Sequence, residues 1–366
     1  MAKPEIVLLS VGLSSKCNRY CSHCSQEADM NGKFLRREQV DLLSREISKA
    51  GIRYQNLFFD LQFTGDGEAL LHPEMVENLD IIMQSKAKLK GVFITSGADP
   101  DSRLENRNLQ KLLQRPYAKK MTFCLSFNLF QKNYGRRLIH TLDELFRAGI
   151  KEAVIKVCLP LNHRETINRL EKLIRNWAGD IFLSNGASHH IKSVINEKEL
   201  KEAFPAIDRY SKEELEEINQ KKFVEIRPPS EFDLQIFHEF YLILCKEKLA
   251  IETKYGPRVI TYAPHLLTGS GRAKKIKDQV PKVSTKGFCE ELKKPSTGVY
   301  LAPDGYYYPS TYCPRDIPFR LGHVSEDLRQ IYGKKIKTFR RLFKAILSDA
   351  SSREQCAICL EEILKK

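Results

Sequence analysis

From Ile6 to Trp177 the chain alternates short apolar runs with longer amphipathic stretches, and this alternation restricts the fold more than any other feature. The apolar runs are Ile6 to Leu13, Asn56 to Phe63, Gly91 to Thr95, Met121 to Phe127 and Ala153 to Leu159. Between and after them lie stretches with helical spacing: Arg37 to Ala50, Pro73 to Gln84, Leu104 to Gln114, Arg136 to Ala148 and Thr166 to Trp177. In the first of these, Val40, Leu42, Leu43, Ile47 and Ala50 gather on one side, as an amphipathic helix requires. Gly149 stands where it can end the fourth helix in left-handed backbone. Short strands alternating with helices imply right-handed βαβ units and a parallel sheet. Five or six such units predict an α/β fold, a partial (β/α)6 TIM-like barrel rather than a closed eight-unit one.

After Trp177 the pattern weakens. Asp180 to Leu183 and Lys222 to Ile226 both qualify as a sixth strand, with helix formers between them at Glu197 to Ala203 and Lys212 to Asn219 that read as an insertion. Leu234 to Lys246 has helical spacing. From about residue 250 the character changes: Arg258 to Tyr262 reads as a strand and Leu267 to Ala273 as a loop. Asp304-Gly305, between alternating strand formers, signals a hairpin. Two units are expected, 1–250 and 251–366, with no internal repeat and no low-complexity segment.

The chemistry concentrates at Cys17-Asn18-Arg19-Tyr20-Cys21-Ser22-His23-Cys24, directly after the first strand. In parallel α/β folds the ends of the strands carry the ligands. An iron–sulfur cube takes a thiolate on each iron, so three thiolates leave one iron open to a substrate or cofactor. A disulfide pair would leave one cysteine over. A zinc ion would need a fourth ligand, for which His23 is the near candidate. Ten cysteines without the h-region of a signal peptide point to reduced thiols and a cytoplasmic protein. No apolar run approaches a membrane span.

One βα unit later comes Gly65-Asp66-Gly67-Glu68. Its glycines admit close approach of a ligand. Its backbone carbonyls and the Glu68 carboxylate can accept hydrogen bonds from an ammonium group. Near the C-terminus, Cys289, Cys313 and the pair Cys356 and Cys359 supply four more thiolates. They suffice for a second, fully ligated 4Fe–4S cluster or for a zinc ion. Cys124, Cys158 and Cys245 lie in apolar surroundings and read as small core residues.

The spacing C-x3-C-x2-C, followed by the glycine–glutamate turn, resembles the signature of the radical S-adenosylmethionine (SAM) enzymes. The C-terminal pattern of Gly298, Asp304-Gly305, Pro309, Cys313 and Leu321-Gly322-His323-Val324 resembles their SPASM/twitch extension, and its four cysteines match the shorter twitch form with one auxiliary cluster. Asp66 stands where a second glycine is frequent, Ala69 where proline is frequent, and His323 where asparagine is frequent. The resemblance is clear over 6–128 and 287–360 and thin over 160–285, where substrate specificity is expected.

The resemblance implies that Cys17, Cys21 and Cys24 hold a 4Fe–4S cluster whose open iron binds SAM. It implies SAM contacts from Gly65, Asp66, Gly67 and Glu68. His23 would lie beside the adenine, with Ser126, then Asn128 and Asn162, toward the ribose. Hydrogen abstraction by a 5′-deoxyadenosyl radical would follow, with the auxiliary cluster taking an electron back for net oxidation. The reaction would be that of an oxidoreductase or a peptide- or small-molecule-modifying enzyme, fed by a donor such as flavodoxin or ferredoxin. The substrate class, whether peptide, sugar or nucleotide, is not encoded in these motifs. Tyr306 to Tyr308 could approach it, although alternating hairpin tyrosines are commonly packing. The net charge of +14 suits an acidic partner. It supports a rival reading in which the cysteines hold zinc or a cluster structurally and the basic surface holds nucleic acid.

Overall fold

The computed structural model describes residues 5–22, 24, 28–55, 57–127, 129, 133–159, 163–178, 248–266, 298–309 and 319–337. Five βα units come first: β1 (Glu5–Val11), α1 (Arg37–Arg53), β2 (Leu57–Phe63), α2 (Met75–Met83), β3 (Leu89–Ser96), α3 (Arg103–Leu113), β4 (Thr122–Phe127), α4 (Tyr134–Arg147), β5 (Glu152–Leu159) and α5 (His163–Ala178). Then follow β6 (Lys248–Thr253), β7 (Gly256–Leu266), β8 (Gly298–Leu301), β9 (Tyr306–Tyr308) and β10 (Gly322–His323). Residues 328–337 are helical.

The ten strands among the described residues form one sheet, in the order β10-β9-β8-β1-β2-β3-β4-β5-β7-β6. β1 to β5 and β7 run parallel, each paired with the next. β8 adds a parallel neighbour on the other side of β1. The outer pairs β6–β7, β8–β9 and β9–β10 are antiparallel. β1 to β5 and β7 make the six-strand parallel set of a partial (β/α)6 barrel, which β8 extends beyond β1, in agreement with the α/β expectation. The strand beside β5 is β7, which contains the Arg258–Tyr262 run. The two sixth-strand candidates, 180–183 and 222–226, lie outside the described residues, as does the 234–246 helix. β6 was not anticipated. It is short, and only its turn before Gly256 marks it, with φ +83° at that glycine.

Period-two alternation makes the core. Along β4, Phe123, Leu125 and Phe127 are buried while Thr122, Cys124 and Ser126 are half-buried. The buried set of each strand joins the helical stripes: Val40, Leu43 and Ile47 of α1, Leu138, Leu142 and Leu145 of α4, Leu170 and Ile174 of α5. The opposite set includes Asp60, Gln62, Thr95, Cys124, Ser126 and Lys156, all half-buried. Cys124 is therefore not the core residue expected of it. Its strand register places it opposite the helix-packed face. Cys158 lies in β5, and Cys245 lies outside the described residues.

Helix ends follow their local chemistry. The Ser102 hydroxyl accepts the Glu105 N–H at 3.3 Å to cap α3. α4 ends as its sequence foretold: Gly149 takes φ +83°, Gly149 N–H meets the Phe146 carbonyl at 3.1 Å, and Ile150 N–H meets the Leu145 carbonyl at 3.0 Å. That pair of bonds satisfies carbonyls the helix leaves unpaired. The Asp304-Gly305 hairpin is also present, joining β8 to β9, with Asp304 Oδ1 accepting the Tyr306 N–H at 3.0 Å.

Candidate functional site

β1 delivers the chain to the carboxyl edge of the sheet at Val11, and residues 12–36 leave and return there as a closed loop. Its neck is tied by backbone bonds: Leu35 N–H to the Leu13 carbonyl at 2.9 Å, Ser15 N–H to the Lys33 carbonyl at 2.8 Å, and Cys17 N–H to the Asp29 carbonyl at 2.7 Å. Cys17 thus stands at the top of the neck. Tyr20 turns the chain with φ +47°, and Cys24 N–H closes on the Cys21 carbonyl at 3.1 Å. Cys17, Cys21 and Cys24 are half-buried and free of disulfides.

The Gly65–Glu68 turn after β2 packs directly on this neck. Thr64 N–H reaches the Val11 carbonyl at 3.2 Å, and Glu68 N–H reaches the Lys16 carbonyl at 2.8 Å. A Cβ at residue 67 would be driven into that same Lys16 carbonyl, so the approach requires glycine. Gly65 has φ +133° and lies under the Tyr300 ring of β8. The Tyr300 hydroxyl accepts the Asp66 N–H at 3.3 Å. Two motifs separated by a βα unit in sequence are thus neighbours in space.

Buried charge organises the site. Glu68 is 3% exposed. Its Oε1 accepts the Leu70 N–H at 3.0 Å and the Ser96 hydroxyl, and its Oε2 pairs with Arg19. Arg19 also donates to the Gly97 carbonyl at the end of β3. Next to it, Asn18 donates to Glu105 Oε1 at 2.6 Å, and Glu105 Oε2 accepts the Asp99 N–H at 2.9 Å. Burial and the nearby Glu68 charge hold the Glu105 carboxyl above its usual range, against the pull of Arg19. Burial pushes the Cys17 thiol up to about 11, with the Arg19 guanidinium opposing. Burial disfavours the charge on Arg19, but Glu68, Cys17, Glu105 and Cys21 outweigh it and raise its pKa above the ordinary arginine value.

Three thiols match the number of protein ligands of a 4Fe–4S cluster with one open iron. They share one loop, and Asn18 Oδ1 and Arg19 Nε, between the first two cysteines, are buried without a hydrogen-bond partner among the described residues. A single zinc ion instead draws its ligands to about 2.0–2.3 Å of one point. Among the described residues, no three histidine, cysteine or acidic side chains stand close enough to hold one ion.

Ser126 sits on β4 two residues from Cys124, opposite Lys156 of β5 in register. Burial raises the Cys124 thiol, against the pull of Lys156. His23, Asn128, Asn162, Cys289, Cys313, Cys356 and Cys359 lie outside the described residues. Tyr307 and Tyr308 are fully buried, so these two are packing residues. Sequence reasoning missed Arg19, Ser96, Glu105 and Tyr300. Only Arg19 carried a signal, as a cation between two cysteines.

No family model and no curated protein matches the sequence. Among solved structures the chain is similar to native anSMEcpe with bound AdoMet and Cp18Cys peptide, at 12% identity and TM-score 0.49, over 99% of this chain and 96% of that one. It is similar to BtrN in complex with AdoMet and 2-DOIA at 12% identity and TM-score 0.40, over 97% and 93%. It is similar to Streptococcus suis SuiB bound to S-adenosylmethionine at 13% identity and TM-score 0.46, over 90% and 65%. No described helix is long and apolar enough to cross a membrane.

Proposed function

We propose that this protein is a radical SAM enzyme. The observation that carries the reading is the docking of the glycine–glutamate turn on the neck of the cysteine loop, through the 2.8 Å bond from Glu68 N–H to the Lys16 carbonyl. It gathers a three-thiol loop and an ammonium-accepting turn at the carboxyl edge of a parallel sheet, where such folds place their chemistry.

In this reading Cys17, Cys21 and Cys24 hold a 4Fe–4S cluster. The backbone carbonyls of Gly65, Asp66 and Gly67 receive the amino group of SAM, and Glu68 docks that turn on the cysteine loop. Ser126 faces the ribose with Asn128 and Asn162, and His23 lies by the adenine. A cluster held there would supply the electron for cleavage of SAM to methionine and a 5′-deoxyadenosyl radical, which would take hydrogen from the substrate. The chain's part is to hold, orient and shield. Gly67 lets the turn close on the loop, and Tyr300 covers Gly65 and Asp66 from the other side. Cys289, Cys313, Cys356 and Cys359 would hold an auxiliary cluster suited to accept an electron for net oxidation. The substrate would be a peptide, sugar or nucleotide, the donor a flavodoxin or ferredoxin, and the compartment the cytoplasm.

The test is anaerobic reconstitution with iron and sulfide, then incubation with SAM and a strong reductant. Formation of 5′-deoxyadenosine that disappears in the Cys17→Ala/Cys21→Ala/Cys24→Ala variant supports the proposal. SAM cleavage by that variant refutes it. A colourless, zinc-loaded protein favours the rival structural-metal reading.

A further inference from the structure

We propose that the Arg19–Glu68 ion pair is a clamp that fixes the cysteine loop to the sheet. In the radical SAM reading, on which this rests, Glu68 then acts through Arg19 on the ligand loop, and the backbone carbonyls of the Gly65–Gly67 turn take the SAM ammonium.

Glu68 is already engaged. Its carboxylate accepts the Leu70 N–H, the Ser96 hydroxyl and the Arg19 guanidinium, and it is 3% exposed. A carboxylate has about four acceptor sites, so the chain itself fills most of them. An incoming ammonium would have to displace Arg19, whose side chain is 8% exposed, and leave a guanidinium buried without its partner. Such displacement is costly in a low-dielectric site.

Arg19 is placed to act as a fastener. It lies midway between Cys17 and Cys21, and its terminal Nη2 donates both to Glu68, beyond the end of β2, and to the Gly97 carbonyl at the end of β3. A second anchor works in parallel: the adjacent Asn18 docks on Glu105 at 2.6 Å, and Glu105 is fully buried. Two consecutive residues of the loop therefore each seat on a buried carboxylate from a different element. Leu13, Ala28 and Leu35 bury the neck of the loop, whereas the segment between Cys17 and Cys21 has Tyr20 60% exposed, so the polar contacts of Asn18 and Arg19 are what seat that segment. Arg19 and Glu68 are positioning residues for the cysteines.

The experiment separates the clamp from the SAM reading. In cluster-free protein, the alkylation rates of Cys17, Cys21 and Cys24 are measured by peptide mass spectrometry, with Cys124 as internal control. Arg19→Met should speed alkylation of the three loop cysteines by about tenfold and leave Cys124 unchanged, because only the loop opens. Arg19→Lys, which keeps the charge on a shorter stem and so reaches Glu68 and Gly97 less well, should give an intermediate rate; this variant carries the test if Arg19→Met fails to fold. After reconstitution, Arg19→Met should hold less iron per chain, while its SAM dissociation constant per cluster stays within about twofold of wild type. Unchanged loop alkylation in both variants overturns the clamp. A SAM affinity shifted about tenfold in either direction makes the Glu68 carboxylate a SAM contact and also overturns it. Wild-type protein that takes up a cluster and binds no SAM defeats the functional reading alone, since the alkylation result stands without SAM.

Discussion

Two regions converge on the carboxyl end of β1 and are built from opposite materials. On one side the cysteine loop is seated by buried ions, Arg19 on Glu68 and Asn18 on Glu105. On the other the β8–β9 hairpin is seated by buried tyrosines, with Tyr300, Tyr307 and Tyr308 all at 0% exposure. Both touch the Gly65–Glu68 turn, Arg19 through Glu68 and Tyr300 through the Asp66 N–H. The difference teaches what each material does. Aromatic burial gives area and tolerates small changes. An ion pair in a dry site gives direction, and it fails sharply when one partner is removed, because the other is left as an unpaired charge.

The sharpest way to break the comparison is Glu68→Ala. It strands Arg19, and a loss of about 3–5 kcal/mol in denaturant unfolding is expected. The Arg19→Ala/Glu68→Ala double variant should lose less than the sum of the two single losses. Strict additivity would show that the two groups do not act as a pair. Gly67→Ala comes next. The added methyl meets the Lys16 carbonyl, so the turn must back away from the loop, at about 1–3 kcal/mol. A neutral effect would mean the two motifs are not pressed together.

A third tether answers to pH. His72 is 2% exposed; its Nε2 bonds the Leu35 carbonyl at 2.8 Å, and its Nδ1 accepts the Glu74 N–H at 3.0 Å. Leu35 lies on the returning limb of the cysteine loop. Burial lowers the His72 pKa below its ordinary 6.5, so the unfolded chain binds the proton more readily. Stability therefore holds above the ordinary value and is lost as pH falls from there through the lowered one. The slope for one proton is at most about 1.4 kcal/mol per pH unit. His72→Gln should flatten this part of the stability profile; an unchanged profile would assign the slope to another group.

The tyrosine side predicts smaller effects. Tyr308→Phe removes a 2.7 Å hydrogen bond to Asp304 and should cost about 0.5–1.5 kcal/mol. Tyr307 has a buried hydroxyl with no partner among the described residues, so Tyr307→Phe should be neutral or slightly stabilising when the same unfolding midpoint is read. A clear loss there would reveal a polar contact and narrow the contrast between the two regions.

What the sequence disclosed divides along the same line. Periodic apolar residues announced β1 to β5 and α1 to α5 within a few positions, because burial on one face writes a period into the chain. The thiols and the glycine–glutamate turn were visible because rare residue types at short spacing are themselves a signal. Arg19, Ser96 and Glu105 were not legible as partners of that site. Each is an ordinary polar residue whose role depends on meeting another across 28 to 87 positions. β6 and the place of β7 beside β5 were hidden for a related reason: strand neighbours in a sheet are set by topology, and period-two runs do not say whom they pair with. Tyr300 is the extreme case, reaching back over 234 residues to Asp66.

That reach has a consequence for the chain as it is made. At about 5–20 residues per second, a ribosome takes on the order of 12–47 seconds to travel from Asp66 to Tyr300. Throughout that interval β1 has β2 on one flank and nothing on the other, since its second neighbour, β8, is still unsynthesised. The nascent protein carries an open strand edge beside three free thiols. Synthesis stalled before residue 298 would leave that edge permanently unpaired.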